Sequence, residues 1–131
     1  MWIKTSLFRR VFAPESGTGW EAHAMAVHWD RGFALEQAGG DEDLLRELLM
    51  IFSGTLAANR QTIEEALTAS DFPLVARAVH SIKGSASSLG FAEIAQMADV
   101  VENQARDGGG GQGSEFLARL RALEETLPRL A

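Results

Sequence analysis

The chain has 131 residues, 46% of them apolar, and a formal net charge of −6, which suits one folded domain with a single core. It contains no cysteine, so disulfides, thiolate metal sites and thiol catalysis are excluded. The acidic balance argues against nucleic-acid binding, which needs a basic surface. No apolar run approaches the roughly 18 residues that span a membrane, and the first residues lack the apolar core of a signal peptide. We therefore expect a cytoplasmic protein.

Residues 1–28 show no sustained hydrophobic periodicity, and we expect them to form an N-terminal extension or linker before a domain at 29–131. The apolar residues between positions 7 and 12 permit a short amphipathic helix, and residues 14–19 are typical of a loop. The two histidines of this segment, His23 and His28, are interpreted as surface residues.

Helical spacing of apolar residues begins at Trp29. Asp30 is suited to cap a short helix that carries Phe33 and Leu35 and ends at the glycine pair 39–40. Apolar and polar residues do not alternate here as they would in a half-buried β-strand. The sequence therefore predicts a short helix ahead of the longer ones.

Four longer helices follow. Asp41 and Asp71 are placed to cap the first two, the third begins at Phe91, and Ser114 is placed to cap the fourth. The glycine run 108–111 lacks the Lys-Ser/Thr ending of a phosphate-binding loop and is interpreted as a turn. Each helix has one apolar stripe, made respectively of Leu45, Leu48, Leu49, Phe52, Leu56, Ile63 and Leu67; Val75, Val79, Ile82, Ala86 and Leu89; Phe91, Ile94, Ala98, Val101 and Ala105; and Phe116, Leu120, Leu123 and Leu127. One-faced helices joined by short turns predict an all-α antiparallel four-helix bundle, preceded by the short helix.

His80 lies away from the apolar stripe of its own helix. Since a helix turns about 100° per residue, His80 points roughly 130° from the centre of that stripe and faces solvent. Lys83, Gly84 and Ser87 share its face, and Ala76 comes one turn earlier, so small neighbours leave the imidazole accessible. A glycine inside a helix costs about 1 kcal/mol relative to alanine. Gly84 therefore indicates the close approach of another protein to His80.

The segment His80-Ser-Ile-Lys83-Gly84-Ser-Ala-Ser-Ser-Leu-Gly90 resembles the H-x-x-K-G-x-x-x-x-x-G signature of histidine-containing phosphotransfer (HPt) domains. The upstream stretch over residues 39–52 also resembles the first long helix of that family and its lead-in. The similarity extends over about residues 29–127. A pattern of five residues alone recurs by chance, but here it is joined to the upstream stretch, the order of helices and an exposed histidine.

The resemblance implies a phosphorelay intermediate that accepts a phosphoryl group from the aspartate of one receiver domain and passes it to another. By that similarity His80 is the phospho-accepting residue, Lys83 neutralises the charge of the incoming phosphate, and Gly84 leaves space for the receiver. Glu102 falls where family members often have glutamine or glutamate against the imidazole. A carboxylate that accepts the Nδ1 proton would fix the tautomer and leave Nε2 free to attack phosphorus.

The resemblance also implies which partners this protein has. They are receiver domains of a response regulator or of a hybrid sensor histidine kinase, and the receiver brings Mg²⁺ and an acidic pocket. The chain then needs no cofactor or metal of its own, and without a nucleotide-binding motif it is not expected to phosphorylate itself from ATP. We expect a monomer that contacts neither nucleic acid nor membrane.

Two other classes of protein are alternatives for this sequence. A helical interaction bundle without phosphate chemistry would leave His80 incidental, and docking of a receiver that persists without phosphorylation would favour it. A di-iron carboxylate bundle needs paired Glu-x-x-His motifs, which this sequence does not contain. Read alone, Ser87 provides only small size, while Arg77 and Arg106 are ordinary solvated charges.

Overall fold

The computed structural model describes residues 27–130, and these form five helices with no strand among them. The helices are α1, Arg31–Gln37; α2, Glu42–Thr68; α3, Phe72–Ser88; α4, Ala92–Arg106; and α5, Gly113–Leu130. Helices α2 to α5 pack as a ring in which each contacts the next and α5 returns to α2. The predicted four-helix bundle with a preceding short helix is therefore confirmed. The prediction for residues 7–12 and the assignment of His23 lie outside the described residues.

Aspartate caps begin the first three helices, as the sequence predicts. The side chains of Asp30, Asp41 and Asp71 each accept a hydrogen bond from the backbone N–H three residues later, at 3.0, 3.1 and 3.3 Å. Each cap satisfies one of the amide groups that a helix start leaves without an internal partner. The caps therefore fix where α1, α2 and α3 begin.

The start of α5 differs from the prediction. The helix begins at Gly113 rather than after a Ser114 cap, because the N–H of Gly113 already donates to the carbonyl of Gly110 at 2.8 Å. Gly113 is buried against Leu67 of α2, and a Cβ at this position would lie 2.8 Å from a Leu67 methyl group. Glycine at 113 thus lets α5 start early and pack closely on α2, while Ser114 is exposed.

The core is lined by the predicted stripes, with Leu48 and Leu67 half-buried at its edge. In α1, Phe33 is 39% exposed, while Ala34 is fully buried. A helix as short as α1 presents a narrow face to the bundle, and the small alanine takes that face. Ala76 of α3 is likewise buried rather than open beside His80.

The turn between α3 and α4 is tied to the segment before α1. The indole Nε1 of Trp29 donates to the carbonyl of Leu89 at 2.8 Å, and the N–H of Asp30 donates to the carbonyl of Gly90 at 3.0 Å. Trp29 stacks on Phe91 with ring centroids 5.9 Å apart. These contacts hold the end of α3 and the start of α4 in a fixed relation, which sets the register between the two helices.

Among residues 27–130, no helix combines the length and the apolar character that crossing a membrane requires.

Candidate functional site

Helix α3 places His80 on the outside of the bundle. The opposite face of the helix is anchored in the core by Val79 and Ile82, which are at most 1% exposed. The side chain of His80 is 64% exposed. The prediction that the imidazole faces solvent is therefore confirmed, and a rigid, buried helix face fixes its position.

A buried carboxylate lies beneath the imidazole. The side chain of Glu102, on α4, is only 4% exposed, and its Oε2 lies 3.0 Å from Nδ1 of His80. A carboxylate can only accept, so the contact assigns the proton to Nδ1. In the neutral imidazole the other ring nitrogen, Nε2, is then the one without a proton, on the edge of the ring away from Glu102. This is the contact that the resemblance implied.

Lys83 contacts two carboxylates rather than projecting freely into solvent. Its Nζ lies 2.7 Å from Oε1 of Glu102 and 3.1 Å from Oδ1 of Asp99. The contact with Glu102 is an ion pair without the alignment of a good hydrogen bond, whereas Asp99 accepts a well-directed one. Glu102 first and Asp99 second raise the pKa of Lys83 above its usual value. Lys83 is therefore a cation at neutral pH, one turn along α3 from His80.

Arg106 also contacts Glu102, so its interpretation as an ordinary solvated charge is wrong. Its Nη2 and Nε lie 2.5 and 3.2 Å from Oε2 of Glu102. The spacing of four residues on α4, with glutamate preceding arginine, is the arrangement in which opposite charges meet on a helix surface. That spacing is the sequence signal for this contact.

Three cationic or proton-donating groups thus surround the Glu102 carboxylate. Burial alone would raise its pKa, but Lys83, Arg106 and His80 together outweigh this effect and lower the pKa of Glu102 to about 2. The carboxylate therefore stays ionised at any physiological pH. We call the five residues His80, Lys83, Asp99, Glu102 and Arg106 the charge cluster.

Open space surrounds the next turn of α3. Gly84 is exposed, and a Cβ on it would have no neighbour within 4 Å outside its own helix backbone. The hydroxyl of Ser88 donates to the carbonyl of Gly84 at 3.1 Å, and Ser87 is exposed beside it. No packing contact within the described structure explains why position 84 is glycine. The space above it is available to a second molecule.

The remaining candidates stay outside the charge cluster. Arg77 is exposed, and His28 is exposed with Nε2 3.9 Å from Glu93. Within residues 27–130, no group of three or more His, Cys, Asp or Glu side chains is arranged to hold a metal ion. Of the candidate residues named from the sequence, Arg77 and His28 are therefore not part of the charge cluster.

Two solved structures share this fold. The histidine-containing phosphotransfer protein B (HptB) of Pseudomonas aeruginosa PAO1 superposes with a TM-score of 0.69 at 22% identity, over 79% of this chain and 90% of that chain. The HPT domain of the Hpt sensor hybrid histidine kinase of Shewanella superposes with a TM-score of 0.68 at 18% identity, over 78% of this chain and 92% of that one. A comparison with curated proteins gave no match.

The sequence model of the Hpt domain matches residues 47–131. The chain belongs to the Hpt domain family. Its function is histidine phosphotransfer in a phosphorelay, and the interaction bundle without phosphate chemistry is not favoured. Hpt domains act as phosphoryl carriers and interact with the receiver domains of kinases and response regulators.

Sequence reasoning missed the part that Asp99 and Arg106 play in this Hpt domain. Asp99, Glu102 and Arg106 follow one another at spacings of three and four, so they share a face of α4. This spacing is a sequence signal that the three side chains lie close together. The contacts of Asp99 and Glu102 with Lys83 depend on the relative rotation of α3 and α4, which the sequence of either helix alone does not determine.

Proposed function

We propose that His80 is the residue of this Hpt domain that accepts the phosphoryl group, and that it shuttles this group between receiver-domain aspartates. The observation that supports this proposal is an imidazole that is 64% exposed and whose Nδ1 is held by a carboxylate that is 4% exposed. The contact orients the ring and leaves Nε2 as the nucleophilic atom. The exposure lets a large partner reach that atom.

The transfer step balances with the groups in place. The lone pair of Nε2 forms the new bond to phosphorus, and the bond from phosphorus to the aspartate oxygen of the receiver breaks with its electrons left on that carboxylate. The Nδ1 proton stays between the ring and Glu102, so the phosphorylated ring carries a positive charge beside an anion. The reverse transfer follows the same path, because phosphoryl transfer depends mainly on positioning and on charge stabilisation.

Lys83 and Gly84 have separate roles in this proposal. The Lys83 ammonium lies one turn from His80, which places it to offset the negative charge of the phosphoryl oxygens. Gly84 leaves room for the receiver surface, since its position has no neighbour within 4 Å. Lys83→Ala should therefore slow phosphoryl transfer more than it weakens receiver binding.

The remaining requirements fall on the partner. We propose that the receiver domain, belonging to a response regulator or to a hybrid sensor kinase, supplies Mg²⁺ and the acidic pocket. The Hpt domain then acts as a carrier without kinase activity or cofactor of its own. It would work as a monomer in the cytoplasm, with the His80 face available to successive partners.

The decisive experiment follows phosphoryl label from a panel of phosphorylated receiver domains onto the purified chain in the presence of Mg²⁺. Wild type should acquire acid-labile, base-stable label, and His80→Gln should acquire none. His28→Gln is the matched control, because His28 is also an exposed histidine but lies outside the charge cluster. Label on His80→Gln would overturn the assignment. Absence of label on wild type with every receiver would overturn the carrier function and favour an interaction bundle.

A further inference from the structure

Lys83 already pairs with two carboxylates, so a phosphoryl group on His80 would have to share its ammonium with them. In this structure its ammonium is shared between Glu102 at 2.7 Å and Asp99 at 3.1 Å. The charge cluster is balanced in this form, with two carboxylates facing the cations Lys83 and Arg106. A phosphoryl group on Nε2 of His80 adds up to two negative charges. Lys83 then has three anionic groups competing for it.

The two carboxylates that hold Lys83 are not equivalent. Glu102 is 4% exposed, so water cannot readily replace Lys83 there, and losing this cation would leave the buried charge less well compensated. Asp99 is 57% exposed, so water can replace the ammonium at little cost. Of the two contacts, the one between Lys83 and Asp99 is therefore the easier for a phosphoryl group to weaken.

We propose that Asp99 is a positioning residue that competes with the phosphoryl group for Lys83 and thereby sets the phosphotransfer equilibrium. This inference rests on the proposed function of His80. With Asp99 present, the phosphoryl group shares Lys83 with a competing carboxylate, so it is held less tightly and passes more readily to the next receiver. Asp99 thus favours transfer onward over storage on His80.

The size of the effect follows from the exposure of the pair. An ion pair on a protein surface contributes between a few tenths and about 1 kcal/mol. We therefore expect Asp99→Asn to shift the equilibrium between receiver phosphate and phospho-His80 by about twofold to fivefold toward phospho-His80. The shift should require Lys83, since Asp99 acts through that side chain.

The experiment measures the ratio of phospho-His80 to phosphorylated receiver at equilibrium, with the full chain and one receiver that labels the wild type. Asp99→Asn should raise the ratio, and Asp99→Glu should restore it toward the wild-type value. Glu93→Gln removes one exposed charge from the same helix outside the charge cluster and should leave the ratio unchanged. An unchanged or lowered ratio in Asp99→Asn would overturn the proposal.

A second comparison separates competition for Lys83 from simple repulsion. In a Lys83→Gln background, Asp99→Asn should have no further effect on the ratio. The same shift in both backgrounds would show that Asp99 merely repels the phosphoryl group, and would overturn the competition. If Asp99 only fastened α3 to α4, its loss would lower the thermal midpoint without moving the ratio. Label on His80→Gln in the same assay would instead count against the proposed function itself.

Discussion

Nδ1 of His80 lies 3.0 Å from Oε2 of Glu102, which joins the exposed imidazole of α3 to a buried carboxylate of α4. The contact does two things at once, because it points Nε2 outward and places a fixed negative charge beside the ring. Glu102 is itself held by Lys83 and Arg106. The orientation of the nucleophile therefore depends on packing between two helices rather than on the histidine alone.

Replacement of Glu102 by glutamine should slow phosphoryl acceptance without abolishing it. The amide oxygen can still accept the Nδ1 proton, but the positive charge that forms on the phosphorylated ring loses its anion. We expect a rate about tenfold lower, which corresponds to about 1.4 kcal/mol in the activation free energy. The measurement is the initial rate of label transfer from a saturating phosphorylated receiver.

Glu124→Gln provides the control for this variant. Glu124 is another carboxylate largely sheltered from water, 21% exposed and paired with Arg60 between α2 and α5, away from His80. The Glu124→Gln variant should lower the free energy of unfolding without changing the rate of phosphoryl transfer. Equal transfer rates for Glu102→Gln and wild type would show that the negative charge of Glu102 does not contribute to phosphoryl transfer.

The low pKa of Glu102, about 2, predicts how stability depends on pH. Because this value lies below the ordinary value of 4.5, the ionised form stabilises the fold fully above about pH 4.5, and this contribution is lost as the pH falls toward 2. Its upper bound is on the order of 3 kcal/mol. The free energy of unfolding in urea should therefore differ most between wild type and Glu102→Gln near pH 6, and the difference should shrink toward pH 2. A difference that stays constant over this range would contradict the assignment.

Hydrophobic periodicity and aspartate caps were enough to predict the bundle and the outward direction of His80. Both follow from interactions within one helix or from the burial of one face, so a single sequence contains the necessary information. In the short helix α1 periodicity is less informative, because the large Phe33 is exposed there and the small Ala34 is buried. With few residues to bury, the fit of a side chain to its neighbours decides more than its apolar area.

The charge cluster was only partly predictable. The resemblance pointed to Glu102, but the pairing of Lys83 with Asp99 requires the register between α3 and α4. That register is set by the turn between the two helices and by its contacts with Trp29 and Asp30. Interactions so distant in the chain leave no local periodic signal.

Gly84→Trp should block receiver binding while preserving the fold. Gly84 is exposed, with no neighbour within 4 Å of an added Cβ, so the indole has room to project into the space that we assign to the receiver. Replacing glycine by tryptophan also favours the helical state, by roughly 0.5 kcal/mol. We expect an unchanged helical circular dichroism spectrum and loss of receiver binding by at least tenfold in titration calorimetry.

Ser114→Trp is the matched control for bulk. Ser114 is also exposed but lies on α5, diagonally across the ring of helices from α3. This variant should bind the receiver as wild type does. Normal binding by Gly84→Trp would show that the receiver does not contact this turn of α3.

Gly90→Ala tests the turn that sets the register of the charge cluster. Gly90 has φ +86°, and an added Cβ would lie 2.5 Å from the carbonyl oxygen of Asp30. In Gly90→Ala, backbone strain of about 1–2 kcal/mol adds to a steric clash that must separate the segment before α1 from the turn.

Gly108→Ala is the control, because it has the same kind of strain, with φ +90°, but no neighbour within 4 Å. Urea unfolding should therefore show a larger loss for Gly90→Ala than for Gly108→Ala, and only Gly90→Ala should also slow phosphoryl transfer, because the register of Glu102 beneath His80 depends on this turn. Equal losses in the two variants would mean that the contact between Asp30 and Gly90 contributes nothing to the fold.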